Sequence, residues 1–306
     1  MLDTRFLGLI AAVLAMMQWS CDDTSTTTVA YNLAPTSPYT VWNTAPNPES
    51  VTVDGYNVYI THFGPDLKPT RKDGDGYVAV YDANGTLTDT LVSGLHAPKG
   101  SLISNGIYYV ADVDYLRGFD LATGEEVFDV SFVGETRLLN GLAATDAGKL
   151  YVSATDAGKI WEVDASTSEA TIFQDLRAVN GLVTSTDNQT LFAVTYPDQV
   201  PQTGRVCAIN LATKVVDTLG NYRGLLDGID VYQDEVVFTD WSPEGADGGK
   251  VLATNIQTGE TRIIASHTVI SGPADFDVLG DGLALIPMLT GARIVVVPLQ
   301  DTKSEG

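Results

Sequence analysis

The chain runs to 306 residues, 44% hydrophobic and 18% charged, which excludes a disordered polymer and provides for a large core. Its 39 acidic and 17 basic residues leave a formal net charge of -22, which excludes nucleic acid as a partner, because phosphate backbones are bound through clustered Lys and Arg. The acids are scattered through turns such as Asp146-Ala147-Gly148 rather than gathered in a tail, and charge so dispersed serves solubility.

In chain order, segment 1–20 comes first. Arg5, an apolar run over 6–17 and a small residue, Ser20, ahead of Cys21 form the pattern of a secretory signal segment. The apolar run falls short of the about 20 residues that cross a bilayer, so no transmembrane span is expected. The expected location is secreted or periplasmic. Ser20-Cys21 matches the end of a bacterial lipoprotein box while Gln18 and Trp19 depart from it, so a lipid anchor at Cys21, and with it a membrane-anchored lipoprotein, stays open. Residues 21–38, rich in Ser and Thr over 22–28, read as a flexible leader. With Cys21 removed or lipidated, Cys207 has no disulfide partner, and its apolar strand makes it a packing residue.

From residue 39 to 300 the chain repeats itself. A short motif recurs before an apolar strand at Pro48-Glu49-Ser50-Val51, Pro98-Lys99-Gly100-Ser101, Leu139-Asn140-Gly141-Leu142, Val179-Asn180-Gly181-Leu182, Leu226-Asp227-Gly228-Ile229 and Pro273-Ala274-Asp275-Phe276. The spacing, about 40 to 50 residues filled with short strands and Gly/Asp turns, is that of a propeller rather than a helical solenoid. The third repeat is the clearest, with strands predicted at 142–145, 150–154, 159–163 and 170–173. The sixth holds only three, at 276–278, 283–287 and 293–297, and the open edge this leaves can be filled by 39–43. The expected fold is therefore all-β, a six-bladed β-propeller of four-stranded antiparallel blades closed by an N-terminal strand, with 301–306 as a tail. Antiparallel pairing puts the motif on the same face as the loops after each second strand, of which 64–75, 196–204 and 242–248 are long.

In such a ring the second residues of the motif, Glu49, Lys99, Asn140, Asn180, Asp227 and Ala274, meet on the axis. Glu49, Asn140, Asn180 and Asp227 offer two carboxylates and two amide oxygens, a set suited to calcium or another divalent cation with positions left for water or substrate. The competing reading is that each Asn-Gly or Asp-Gly pair is simply a turn. Lys99 either opposes a cation, neutralises the carboxylates in its place, or reaches an anionic group of a small-molecule substrate. Arg137, Arg177 and Arg223 precede three of the ring residues, where they serve either an anionic substrate group or structural ion pairs. His62, His96 and His267 fall near the same face as candidate bases, and Asp230 and Asp275 lie beside the ring register. No serine-hydrolase elbow, phosphate loop or zinc spacing is present.

These motifs over about 40–299 resemble the family of senescence marker protein, gluconolactonase and luciferin-regenerating enzyme, within the calcium-dependent phosphotriesterase-like propellers. Pro48-Glu49 is similar to the family's Glu-bearing opening, and Asn140-Gly141, Asn180-Gly181 and Asp227-Gly228 are similar to its two Asn positions and its Asp position. The resemblance implies that Glu49, Asn180 and Asp227 hold the cation and that Asn140 is ligand or substrate contact. It implies Asp227 as base or nucleophile toward a lactone or phosphoester, and Arg137 as a substrate contact. Lys99 and the absence of a Glu-Gly-Pro opening depart from the family. The expected function is an exported, calcium-dependent hydrolase of a lactone or related ester. The alternative is a non-catalytic propeller that binds a ligand or protein.

Overall fold

The computed structural model describes residues 39–197, 203–241, 248–267, 269–279 and 282–300. The expected signal segment, leader, Cys21 and tail lie outside the described residues, as do 198–202 and 242–247 from two of the long loops. Among the described residues no helix is long and apolar enough to cross a membrane.

A closing strand β1 (Thr40–Asn43) precedes the first blade, β2 (Pro48–Asp54), β3 (Asn57–His62), β4 (Gly76–Tyr81) and β5 (Leu87–Leu95). The second is β6 (Pro98–Ser104), β7 (Ile107–Asp112), β8 (Tyr115–Asp120) and β9 (Glu126–Ser131). The third is β10 (Leu139–Ala144), β11 (Lys149–Ala154), β12 (Lys159–Asp164) and β13 (Ala170–Asp175). The fourth is β14 (Val179–Thr184), β15 (Thr190–Thr195), β16 (Gly204–Asn210) and β17 (Val216–Gly224). The fifth is β18 (Leu226–Tyr232), β19 (Glu235–Asp240), β20 (Lys250–Asn255) and β21 (Thr261–Ser266). The sixth is β22 (Asp277–Val278), β23 (Leu283–Met288) and β24 (Arg293–Pro298).

Each blade is an antiparallel four-stranded sheet, and the sixth is completed by β1 beside β24, with Thr40 opposite Val296 and Asn43 opposite Arg293. The innermost strands β2, β6, β10, β14, β18 and β22 each touch the next, and β22 touches β2, so the ring closes. Both features agree with the repeat reading. Second strands such as β19 are buried on both sides and read as continuous apolar runs, whereas outer strands such as β9 alternate.

The core lies between blades rather than within them. Val51, Ile60 and Ala79 of blade one meet Leu285 and Ile294 of blade six, and Phe192 and Val194 of blade four meet Leu226 and Phe238 of blade five. Cys207 is buried among Val179, Leu191 and Ile209, the packing role expected of it. Hairpin turns follow local chemistry. Asn105 and Gly106, with φ of 53° and 77°, turn β6 into β7 with both residues in the left-handed region.

Farther along the axis than the second residues of the motif, a cavity of about 280 Å³ is lined by Thr52, Ser101, Asp230, Asp275 and Asp277 among others. Ser50 Oγ donates to Asp275 Oδ2 at 2.9 Å, and Asp230 accepts the backbone N–H groups of Val231 and Val278 at 2.7 and 3.0 Å. Burial first, and then the charges of Asp277 and Asp275, holds the Asp230 carboxyl well above the usual carboxylate range. A carboxyl raised in the folded state binds its proton more tightly there than in the unfolded chain. Its contribution is therefore present at low pH and is lost as pH rises from the ordinary carboxylate value through the raised folded one. Asp230→Asn is expected to raise Tm by about 3 °C at pH 8 and by less at pH 5, measured by thermal melts at the two values. Equal shifts at both would show that repulsion between these acids is not what the substitution relieves.

Candidate functional site

The motif is where the innermost strands bulge. Pairing with the second strand shifts register between Pro48 and Val51, Pro98 and Ser101, Leu139 and Leu142, Val179 and Leu182, and Leu226 and Ile229. A bulge carries an extra residue outside the ladder and re-aims its side chain, here the second residue of the motif, toward the axis. In alternate blades a hydroxyl of the second strand takes the N–H freed by the bulge. Ser50 N, Gly141 N and Gly228 N donate to Thr61 Oγ1, Ser153 Oγ and Thr239 Oγ1, each at 2.8 Å.

The Asn-Gly and Asp-Gly pairs are not turns. They lie inside β10, β14 and β18, and their glycines do not take the left-handed φ that a turn requires. These glycines answer a crowding of backbones at the axis. A Cβ on Gly141 would lie 2.6 Å from Asn180 O, and one on Gly181 or Gly228 would lie 2.5 Å from Asp227 O or Ala274 O. Where blade one carries Ser50 and blade six Asp275 in that place, the two side chains bond each other instead.

One cavity of about 100 Å³ at this mouth is lined by Glu49, Lys99, Asn140, Asn180 and Asp227, so the four oxygen residues and the lysine are brought together. Ala274, the sixth, is buried and offers no polar group. Asp227 Oδ2 accepts the indole N–H of Trp241 at 2.7 Å, and Asn140 Nδ2 donates to Thr155 Oγ1 at 3.3 Å. Glu49 Oε2 and Asn180 Oδ1 are buried with no hydrogen-bond partner among the described residues. Leaving buried acceptors unmet costs about 1–3 kcal/mol each, so such a pair facing one cavity asks for a donor or a cation. An all-oxygen set of two carboxylates and two amides fits a hard divalent ion. No three His, Cys, Asp or Glu side chains cluster to hold a metal among the described residues, so a shell here depends on the amide oxygens.

Burial first, then the charges of Asp227 and Asp275, holds Glu49 well above the usual carboxylate range, against the pull of Lys99. Burial likewise pushes Asp227 up to about 7, offset in part by the Trp241 hydrogen bond. Lys99 is buried, and its Nζ donates to the carbonyls of Pro69 at 2.7 Å and Ala97 at 2.9 Å, 5.3 Å from the Phe63 ring centroid. Burial lowers it to about 8 against the attraction of Glu49. It forms no ion pair with a carboxylate among the described residues. The ammonium is thus held by carbonyls at the edge of the cavity.

The three arginines stand outside it. Arg137 is exposed and lines an adjoining cleft with Lys72 and Asp114, Arg223 is exposed and donates to Tyr222 O at 2.6 Å, and Arg177 is also exposed. None of the three histidines lines the cavity either. His62 stacks on Tyr77 with ring centroids 4.8 Å apart, and burial lowers it to about 4. His96 N is bound by Asp112, and His267 Nδ1 accepts Val269 N.

A second ring went unread in the sequence. The residue after each second strand is Phe63, Val113, Thr155, Tyr196, Trp241 or Leu289. In five blades its N–H reaches the same carbonyl, two places before the axial residue: Asn47, Leu138, Ala178, Leu225 and Gly272. Every member but Val113 lines the cavity. Aligning the repeats at the end of the second strand, rather than at the motif, would have found it.

Fold and site together define a six-bladed β-propeller with an oxygen-lined cavity at one mouth of its axis. No family model and no curated protein matches the chain. Among solved structures it is similar to a gluconolactonase from Xanthomonas campestris, with TM-score 0.66 and 14% identity over 86% of this chain and 90% of that one. It is also similar to a protein of unknown function from Bacteroides thetaiotaomicron, with TM-score 0.64 and 11% identity over 83% and 70%. A chain of a nidogen/laminin complex matches with TM-score 0.57 and 12% identity over 74% and 92%. At these identities the likeness is one of fold.

Proposed function

We propose that the protein is an exported hydrolase of a lactone or related ester that depends on calcium or another divalent cation. The observation carrying this reading is the pair of unmet buried oxygens, Glu49 Oε2 and Asn180 Oδ1, in the same cavity as Asp227. Glu49, Asn180, Asp227 and Asn140 would hold the cation, with Asn140 able to contact substrate instead. When bound, the cation supplies positive charge to the carbonyl oxygen of the substrate. Asp227 accepts the proton of the attacking water or attacks the carbonyl itself, and its indole partner Trp241 fixes which oxygen stays free. Lys99 contributes a second positive charge at the edge of the cavity, suited to an anionic group of the substrate or product. Arg137 serves an extension of the substrate into the adjoining cleft. Hydrolysis of a lactone panel with and without chelator tests the reading. Turnover indifferent to chelator would retire the cation.

The buried ammonium of Lys99 favours a second reading, a binding propeller that needs no cation. The two separate on one variant. Lys99→Met withdraws a positive charge from beside the ring, so it is expected to tighten calcium about tenfold or more by titration calorimetry, at some cost in stability as the Pro69 and Ala97 carbonyls lose their donor. Calcium binding absent from both proteins would favour the binding propeller.

A further inference from the structure

The ring around the oxygen quartet is mostly apolar, with Thr155 and Tyr196 as its hydroxyl-bearing members. Above Glu49, Asn180 and Asp227 the cavity is walled by Phe63, Trp241 and Leu289 from the second ring and by Leu67, Pro69 and Leu138 from the connections. Several polar groups of this wall are already engaged, and Tyr196 adds a hydroxyl. Trp241 Nε1 donates to Asp227, Thr155 Oγ1 donates to Val179 O at 2.7 Å, and Lys99 Nζ gives two of its three N–H groups to carbonyls.

A polyhydroxylated ring placed here would bury hydroxyls against carbon, and an unmet buried hydroxyl is strongly unfavourable. An apolar substituent loses nothing and gains the area it removes from water. Size points the same way. Apolar protein cavities of about 150 Å³ take up a single benzene ring, and this one measures about 100 Å³.

We infer that the substrate is a small lactone or ester with an apolar alkyl or aryl substituent, not a sugar lactone. This rests on the hydrolase reading and departs from what the gluconolactonase neighbour's name describes. The polar end of the ligand, its ester group, faces the four oxygen residues, and its hydrocarbon end faces Phe63, Leu67 and Leu289.

Binding and turnover are measured apart. Titration calorimetry uses a series of γ-lactams with alkyl chains of increasing length and a polyhydroxylated δ-lactam, which report affinity without ring opening. Affinity is expected to rise about fourfold per methylene until the cavity is full, and the polyhydroxylated lactam is expected to bind at least about tenfold more weakly than the longest fitting alkyl lactam. Leu67→Asn, on the half-buried loop wall, should flatten the alkyl series and leave the short members unchanged. A flat series in the unaltered protein, or tighter binding of the polyhydroxylated lactam, overturns the inference. The matching lactones are assayed in parallel. Alkyl lactams bound in the expected order with no lactone hydrolysed would remove the hydrolase and keep the apolar pocket. Sugar lactone hydrolysed beside a flat lactam series would do the reverse.

Discussion

Asp227→Asn is expected to lower lactone turnover by about 10²–10⁴-fold, the usual loss when a positioned base is removed. The change is nearly isosteric, and an amide oxygen in the place of Oδ2 still accepts the Trp241 N–H, so the wall of the cavity is kept. What disappears is one of two buried negative charges that lie among further acids. Calcium affinity should fall with it, because the ring then offers one carboxylate in place of two. In chelator the variant should melt no lower than the unaltered protein, since in a cation-free ring Asp227 is an uncompensated buried charge. Turnover and calcium affinity thus fall together while melting in chelator does not. A merely structural Asp227 would lower Tm and leave any remaining activity in proportion to folded protein, and that pattern would falsify the assignment.

Gly181→Ala is expected to cost about 3 kcal/mol, or about 10 °C in Tm, although it adds a single methyl group to a strand. Its Cβ would lie 2.5 Å from Asp227 O and 3.2 Å from Ile229 N, backbone atoms of β18 that cannot rotate away. Blade four must then separate from blade five, carrying Asn180 away from Asp227, so calcium binding should be lost along with stability. Gly106→Ala is the control. Nothing lies within 4 Å of its Cβ, and the cost there, about 1–2 kcal/mol, comes from φ of 77° alone. Equal melting temperatures for the two variants would show that the axial backbones have room to part.

The architecture was legible because the sequence writes it six times. Five of the six motifs open an innermost strand, at Pro48, Pro98, Leu139, Val179 and Leu226, and the shortage of a strand in the last repeat pointed to 39–43, of which Thr40–Asn43 fills the seam. In the sixth blade the strand is shorter than expected, Asp277–Val278 instead of 276–278, and the motif pairs through isolated bridges, from Pro273 to Met288 and from Asp275 to Ser50 of the first blade. The convergence of Glu49, Lys99, Asn140, Asn180 and Asp227 was legible for the same reason, since repeats at equivalent positions of a ring must face its axis.

What escaped the sequence depended on partners far away in the chain. Asn-Gly spells a turn by local chemistry, but at 140–141 and 180–181 the glycine is required by the backbone of the next blade, which no local pattern encodes. The direction of Lys99 is set by the carbonyl of Pro69, a loop residue thirty places earlier. The apolar ring shares no residue type among Phe63, Thr155 and Trp241, and its distance from the motif drifts with hairpin length. The arginines do not line the cavity: all three are exposed, and Arg223 lies in the outermost strand β17 rather than in a connection between blades.

The seam between β1 and β24 has a kinetic meaning as well. Five blades are hairpin-connected and can assemble from neighbours in sequence, whereas the sixth requires Thr40 to find Val296 across nearly the whole described chain. Contacts of such separation are made late and slowly, after the entropy of bringing the ends together has been overcome. During synthesis the early blades would stand as an open arc whose sheets are formed but whose ends lack a neighbour. The axial cavity, which draws on all six blades, the sixth through Leu289, comes into register only when that last pairing snaps the arc into a circle. Ligand competence and completion of folding would then be one event, timed by the arrival of the final strand.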